Sequence, residues 1–168
     1  MIAQAYSITV GDGGTGATAC NGDFAIGTWW KVVSSLTSRH GIIACYDDGL
    51  FSGWEWCYEN GEIIFWSNFG GIVKLSWTPT LNTWYFLLVS RVGSTIRFFA
   101  NGVVIDTLTD QDFSSDGDSL SIGSFNNAGA NSLDGYMTDT AIWKGLGRST
   151  TFTTPSEPLT SSSLPSDW

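Results

Sequence analysis

The sequence predicts an all-β protein folded as an antiparallel β-sandwich, and three observations support this fold class. Apolar and polar residues alternate in short runs along the chain, which is the pattern of strands that bury one face. Gly, Asn, Asp and Ser separate the runs, and Asn-Gly pairs stand between runs at 60–61 and 101–102. Because Asn and Gly tolerate the positive φ angles of type I′ turns, these pairs predict tight hairpins.

The first strand is predicted in FAIGTWWKVV (24–33), where Phe24, Ile26, Trp30 and Val32 share one face. WWKVVSSL (29–36) also fits a helical stripe, but no helix cap precedes it, so we favour a strand. Further strands are predicted at WYFLLVSR (84–91), TIRFFA (95–100), VVIDTL (103–108), SLSIGS (119–124) and GYMTDTAIW (135–143).

The segment WEWCYENGEIIFW (54–66) combines aromatic residues with three glutamates. A two-residue turn at Asn60-Gly61 pairs Glu59 with Glu62, and counting outward pairs Glu55 with Trp66. The facing glutamates repel each other unless a cation or solvent relieves them. The uncharged face, predicted to be core, carries Trp54, Trp56, Tyr58, Ile63 and Phe65. The other face, where Trp66 is predicted to be exposed, carries Glu55, Cys57, Glu59, Glu62, Ile64 and Trp66.

A second hairpin is predicted at Asn101-Gly102. A regular register pairs Ala100 with Val103, Phe99 with Val104, Phe98 with Ile105 and Arg97 with Asp106. The last pair joins opposite charges, which favours this register. The face predicted to be shared across the hairpin carries Ile96, Phe98, Val103 and Ile105.

The length of 168 residues suits one domain. We expect that domain over 1–158 and a Ser- and Pro-rich tail over 159–168. Net charge is −9, and the seven Lys and Arg residues form no cluster, which argues against nucleic-acid partners and anionic membranes. The N-terminus lacks the features of a signal peptide, and no apolar run is long enough to span a membrane. Synthesis in a cytoplasm is therefore expected, without membrane insertion.

Three cysteines are present, Cys20, Cys45 and Cys57. They form no CxxC or His/Cys cluster, which argues against structural zinc. We expect buried, reduced thiols, with a Cys45–Cys57 disulfide as the alternative. The only histidine, His40, is expected in a surface loop, and the Gly-rich GDGGTG (11–16) lacks the Lys-Ser/Thr of a phosphate-binding loop.

Several stretches resemble one known family. WYFLLVSRVGSTIRFFANGVVIDT (84–107) resembles a strand pair of laminin-G-like and pentraxin-like domains, which are concanavalin A-like jelly rolls. GDFAIGTWWKV (22–32) is similar to an early strand of that family. SLSIGS (119–124) with LDGYMTDTAIWKGLGRS (133–149) is similar to its ending. The resemblance covers residues 22–158 and implies a concanavalin A-like jelly-roll sandwich.

The closing stretch IWKGLGRSTTFTTPSEPL (142–159) resembles endings of such domains in phages and other viruses. It implies a structural protein of a virion surface, such as a capsid decoration, fibre or tail-associated subunit. Its expected partners are other virion proteins, glycans, and further copies of the chain in a homo-oligomer. A free carbohydrate-binding lectin module is the alternative.

A third function, glycoside hydrolysis, is suggested by EWCYE (55–59). Laminarinase-type glucanases of this fold carry Glu-x-Asp-x-Glu on one strand, with the outer glutamates as nucleophile and acid/base. Glu55 and Glu59 match that spacing, but Cys57 stands at the central position and cannot act as a carboxylate does. We therefore expect no enzyme. A sugar-binding site would instead use Trp66, Glu55 and Asn68.

Calcium is the one cofactor that the sequence suggests. Asp110, Asp112, Asp116 and Asp118 lie in one acidic loop, and calcium takes six to eight oxygen ligands. The loop lacks the glutamate of an EF-hand. A solvated acidic loop is the alternative.

Overall fold

The computed structural model describes residues 21–47, 52–67, 71–109, 120–125 and 131–156. Ten strands occur in these ranges. They are β1 (Phe24–Val32), β2 (His40–Asp47), β3 (Ser52–Glu59), β4 (Glu62–Ser67), β5 (Gly71–Ser76), β6 (Tyr85–Val92), β7 (Thr95–Ala100), β8 (Val103–Leu108), β9 (Leu120–Ile122) and β10 (Gly135–Lys144).

The strands form two antiparallel sheets of five strands each. Sheet I has the order β10-β1-β6-β7-β8, and sheet II has the order β5-β4-β3-β2-β9. The predicted all-β sandwich is confirmed, and residues 24–32 form a strand rather than the alternative helix. No helix in the described ranges has the length and hydropathy that a membrane span requires.

The main core lies between the two sheets. Phe24, Ile26, Trp30 and Val32 are fully buried there, as the alternation in β1 predicts. Aromatic contacts join the sheets: the ring centroids of Phe24 and Phe65 are 5.7 Å apart, as are those of Trp30 and Tyr58. Burial of such large side chains from both sheets is the main stabilising contribution to this fold.

The predicted turn and register of the hairpin at Asn60-Gly61 are confirmed. Asn60 and Gly61 have φ angles of 51° and 81°, and the register runs from Glu59–Glu62 to Glu55–Trp66 without a shift. The face predicted to be core is fully or almost fully buried. Its opposite face is also largely buried, because Glu55, Cys57 and Ile64 are 1%, 0% and 6% exposed.

The predicted register of the second hairpin is correct only near its turn. Ala100 faces Val103 and Phe99 faces Val104, but a bulge follows between Phe98 and Phe99. The extra residue in β8 makes Phe98 face Asp106 and Arg97 face Thr107, so the predicted Phe98–Ile105 and Arg97–Asp106 pairs were wrong. Val103 is 57% exposed instead of buried, because it follows the turn directly on an edge strand. Ile96 and Phe98 do enter the core, with Ile105 packed against them.

A C-terminal segment, residues 147–154, crosses the outer face of sheet I and is called the strap below. The Phe152 ring packs against Phe86 and Phe99, with centroid distances of 6.1 and 5.4 Å. The backbone N–H of Phe152 donates to the Gly102 carbonyl at 3.0 Å, and the N–H of Arg148 donates to Ser90 Oγ at 2.5 Å. The strap therefore covers a second, smaller apolar cluster.

His40 is buried at the start of β2, so its predicted place in a surface loop was wrong. Its side chain is 1% exposed and its ring stacks beside Tyr58. The backbone N–H of Asp134 donates to Nδ1 at 3.3 Å, which leaves Nε2–H to donate to the Ser35 carbonyl at 2.8 Å. Partners for both ring nitrogens permit this burial.

Cys45 and Cys57 are both free and buried, which confirms the expectation of reduced thiols for this pair. Cys45 faces the main core, whereas Cys57 pairs with Gly41 on the opposite face of sheet II. Side chains on opposite faces of a sheet cannot approach to disulfide distance. The alternative Cys45–Cys57 bridge is therefore not formed. Cys20 lies outside the described residues.

Candidate functional site

The candidate site lies on the outer face of sheet II, where the sequence predicted a sugar contact. Strand alternation places Glu55, Cys57 and Trp66 on this face, and Glu55 stands directly opposite Trp66. On the other side of β3, Ala44 of β2 lies beside Glu55, and Gly41 lies beside Cys57.

Glu55 forms a two-pronged ion pair with Arg39, which precedes β2. Arg39 Nε donates to Oε1 at 3.2 Å, and Nη2 donates to Oε2. The Glu55 side chain is 1% exposed and that of Arg39 is 31% exposed. Since this fork geometry satisfies both carboxylate oxygens, the pair is of the strong, orientation-specific kind.

Arg39 is itself held from above by an aromatic ring. Its guanidinium carbon lies 5.0 Å from the ring centroid of Phe125, within the range of a cation–π contact. The neighbouring backbone of Ser124 lies directly over Gly41, and a Cβ at Gly41 would collide with it. Phe125, Arg39 and Glu55 are therefore stacked on one another over β3.

Burial sets the protonation chemistry of this face. Desolvation raises the pKa of the Glu55 carboxyl above its ordinary value, even though Arg39 acts to lower it. Desolvation would lower the pKa of the Arg39 guanidinium, but the hydrogen bond to Glu55 and nearby acidic charges leave it raised. Desolvation, with the Glu55 charge, also raises the pKa of the Cys57 thiol. A thiol with a raised pKa stays protonated and is a poor nucleophile.

The predicted repulsion between Glu59 and Glu62 is relieved by a cation from the next strand. Lys74 of β5 stands opposite Ile64, and its Nζ lies 3.4 Å from Glu62 Oε2. Both side chains of this pair are well exposed, so its contribution to stability is small.

The predicted sugar-binding residues differ in burial and in their partners. Trp66 faces Glu55 across the hairpin but is partly buried, so its predicted exposure was wrong. The Glu55 carboxylate is bonded to Arg39 beneath the surface. Arg39 is thus the member of the ion pair that reaches solvent, and no sequence motif pointed to it. Asn68 lies outside the described residues, so the sugar site remains a prediction.

The predicted calcium site also remains a prediction. Asp110, Asp112, Asp116 and Asp118 all lie outside the described residues, as does GDGGTG. Within the described ranges, no group of three or more His, Cys, Asp or Glu side chains could hold a metal ion.

The family model of the concanavalin A-like lectin/glucanases superfamily matches residues 5–148. The chain belongs to this family. The resemblance in the strand motifs is therefore confirmed, although the family contains both lectins and glucanases and does not by itself assign an activity. No curated protein sequence matches the chain.

Solved structures with this fold are similar at low sequence identity. A heptameric SAP-like pentraxin from Limulus polyphemus aligns with a TM-score of 0.58 and 15% identity, over 82% of this chain and 68% of the pentraxin chain. Domains LG4-5 of the mouse laminin alpha1 chain align with a TM-score of 0.53 and 14% identity, over 76% of this chain and 36% of theirs. The botulinum neurotoxin serotype G binding domain aligns with a TM-score of 0.55 and 13% identity, over 76% of this chain and 34% of the toxin domain. The chain thus spans about a third of the toxin domain that it matches.

Proposed function

We propose that the protein is a non-enzymatic structural protein of a phage or virion surface, which docks on other virion proteins and binds glycans through its lectin-like fold. The observation that carries the non-catalytic part is the Arg39–Glu55 ion pair. It occupies one of the two carboxylates, Glu55, that a laminarinase-like hydrolase would require on β3.

A retaining glycosidase needs two carboxyl groups that both reach the scissile bond. Glu55 is 1% exposed and both its oxygens accept hydrogen bonds from Arg39. At the central position, Cys57 is buried and protonated, so it cannot supply the negative charge of an aspartate. These features argue against hydrolysis on this face.

The hydrolase alternative has a direct test. We expect no release of reducing ends from β-glucans by the purified protein. Release that is abolished by Glu55→Gln, in a variant that folds like the wild type, would overturn the non-enzymatic assignment.

The virion role is supported by the resemblance of residues 142–159 to endings found in phage and viral domains. In this chain, the same stretch includes the strap, which packs Phe152 on the outer face of sheet I. We expect the chain in purified virions at a stoichiometric copy number, measured by quantitative mass spectrometry. Consistent absence from purified particles would reject this role.

A free carbohydrate-binding module is the second candidate, favoured by the similarity to a toxin binding domain and to a pentraxin. A glycan array with the whole chain tests the binding part of both candidates. We expect a defined set of glycans to bind. An array without any binder would remove glycan recognition from the proposed function.

A further inference from the structure

The outer face of sheet I carries an exposed row of side chains beyond the strap. Lys31 of β1 pairs with Tyr136 of β10, and Trp84 immediately precedes Tyr85, which pairs with Trp30. Tyr136, Lys31 and Trp84 therefore lie side by side across β10, β1 and the residue that precedes β6. We call these three residues the aromatic–lysine row.

The geometry of this row is well defined. The ring centroids of Trp84 and Tyr136 are 6.4 Å apart, and the ring planes are inclined by 51°. Lys31 Nζ lies 5.0 Å from the Trp84 centroid and 4.6 Å from the Tyr136 centroid. Both distances fall within cation–π range, so the two rings hold the ammonium group in place between them.

The row remains open to solvent although its neighbours are covered. Trp84 is 39% exposed and Tyr136 is 54% exposed. In the adjacent row, Trp29 packs on Phe86, and Phe86 in turn contacts Phe152 of the strap. Two large exposed aromatic side chains next to each other are typical of binding surfaces, where Trp and Tyr are enriched.

The charge of Lys31 is not neutralised by a carboxylate in the described part of the chain. The salt bridges found there involve Arg39 with Glu55 and Lys74 with Glu62. Asp134, two residues before Tyr136, accepts a hydrogen bond from the Ser34 hydroxyl. The ammonium of Lys31 is therefore a fixed donor and positive charge that an external anion can reach.

We infer that the aromatic–lysine row binds a sugar that carries one carboxylate. The polarised C–H bonds of a pyranose ring pack against the solvent-exposed parts of the Tyr136 and Trp84 rings that Lys31 leaves open. The carboxylate of the sugar accepts a charge-assisted hydrogen bond from Lys31 Nζ. A polyanion is disfavoured, because the net charge of −9 repels extended negative ligands. This inference rests on the proposed glycan-binding function and gives it a sugar class and a second site, distinct from Trp66.

The test uses the whole chain on an array of matched glycan pairs that differ only in a terminal carboxylated sugar. Lactose with its sialylated form, and glucose-terminated with glucuronate-terminated oligosaccharides, are two such pairs. The best pair is then titrated by calorimetry against the wild type, Lys31→Gln, Trp84→Ala and Tyr136→Ala. Circular dichroism and the Tm confirm that each variant is folded.

Two further variants serve as matched controls. Lys144→Gln removes the same charge at the other end of the same strand pair, where Lys144 faces Phe24. Leu146→Ala removes a different apolar side chain, which is 50% exposed. Neither change touches the aromatic–lysine row, so both variants should bind like the wild type.

We expect the wild type to bind the acidic member of the pair about tenfold more tightly than the neutral member, the size of one charge-assisted hydrogen bond. Lys31→Gln should abolish that preference without weakening the neutral member. Trp84→Ala and Tyr136→Ala should weaken both members. Three results would overturn this inference and leave the proposed glycan binding intact. Folded Lys31→Gln could still prefer the acidic member, or the wild type could bind most tightly to a neutral glycan or to a sulfated polysaccharide. If no glycan binds the wild type, the proposed glycan recognition fails with it.

Discussion

The two sheets pack apolar side chains against each other, but different kinds of contact cover their outer faces. We call the residues that pack on each outer face its cover. On sheet I, the strap lays Phe152 across Phe86 and Phe99, and aromatic packing dominates the contact, with the Arg148 guanidinium over the Phe152 ring. On sheet II, Arg39 lies over Glu55 with Phe125 above it, and the contact is an ion pair between partly and fully buried groups. One cover depends on packed volume, and the other depends on charge.

The two covers share one structural requirement, a glycine beneath the crossing backbone. A Cβ at Gly41 would collide with the backbone of Ser124 on sheet II, and a Cβ at Gly102 would collide with the carbonyl of Phe152 in the strap on sheet I. The difference between the faces therefore lies in the side chains that complete each cover. Substitutions that change side-chain volume should lower the free energy of unfolding mainly through the outer face of sheet I. Changes of charge or pH should lower it mainly through the outer face of sheet II.

The largest loss of stability is expected from Trp56→Ala, in the interior beneath both covers. Trp56 is fully buried in the main core, and truncation of such a side chain typically costs about 3–5 kcal/mol. Urea unfolding followed by circular dichroism measures the free energy of unfolding. If Trp56→Ala cost less than the next substitution, the strap would contribute more to the fold than the core does, contrary to the observed burial.

The apolar cover is tested by Phe152→Ala. Phe152 is 9% exposed and touches two further rings, so its loss should cost about 3 kcal/mol, the lower end of the range for buried Phe. The control is Leu146→Ala at an exposed position, for which we expect less than about 0.5 kcal/mol. The loss at Phe152 should depend on pH much less than the loss at Arg39, because Phe152 packs mainly on two other aromatic rings. Equal effects of the two changes would mean that the strap does not stabilise the domain.

The polar cover is tested by Arg39→Ala, whose effect should depend on pH. Burial already raises the pKa of Glu55, and loss of Arg39 removes the largest contribution that opposes this rise. A carboxyl group whose folded pKa lies above its unfolded value, about 4.3, costs no stability below that value. It costs progressively more as pH rises through the folded pKa. We expect near wild-type stability at pH 4 and a loss of about 2 kcal/mol at pH 7, less than for a fully buried pair because Arg39 is partly exposed.

The double variant Arg39→Ala/Glu55→Gln separates charge from packing. It removes the buried carboxylate, so it should recover most of the stability that Arg39→Ala loses at pH 7. A loss of the same size at both pH values, or no recovery in the double variant, would show that Arg39 acts through its aliphatic stem rather than its charge.

The sequence was sufficient for most of the interior, because strand alternation and Asn-Gly turns are local signals. The register of the Asn60-Gly61 hairpin and the inward face of β1 follow from period-2 patterning alone. The β8 bulge could not be predicted in this way, because the attractive Arg97–Asp106 pair supported a regular register that the extra residue displaces. A bulge has no local turn signature comparable to Asn-Gly.

The covers of the outer faces were not predictable from local patterns. Arg39 and Glu55 are sixteen positions apart and His40 and Asp134 are ninety-four apart, so their contacts depend on the tertiary fold. The charge of Glu55 suggested an exposed face, since unpaired carboxylates are rarely buried. Only its partner in a loop before β2 explains the burial. The row of Trp84, Lys31 and Tyr136 is likewise assembled from distant parts of the chain: β1, β10 and the residue that precedes β6.

The smallest effect is expected from Trp66→Ala, at the boundary between cover and solvent. Trp66 is partly buried on the outer face of β4, opposite Glu55, so its truncation should cost about 1 kcal/mol, well below the loss at Trp56. Trp56 and Trp66 lie on adjacent strands, and their side chains point to opposite faces of sheet II. Urea unfolding of Trp56→Ala and Trp66→Ala therefore compares the two faces directly. A loss at Trp66 as large as that at Trp56 would mean that Trp66 completes the cover of sheet II. A small loss of stability together with reduced glycan binding would instead support Trp66 as a sugar contact. The Trp66 ring would then contribute mainly to ligand binding and little to the free energy of unfolding.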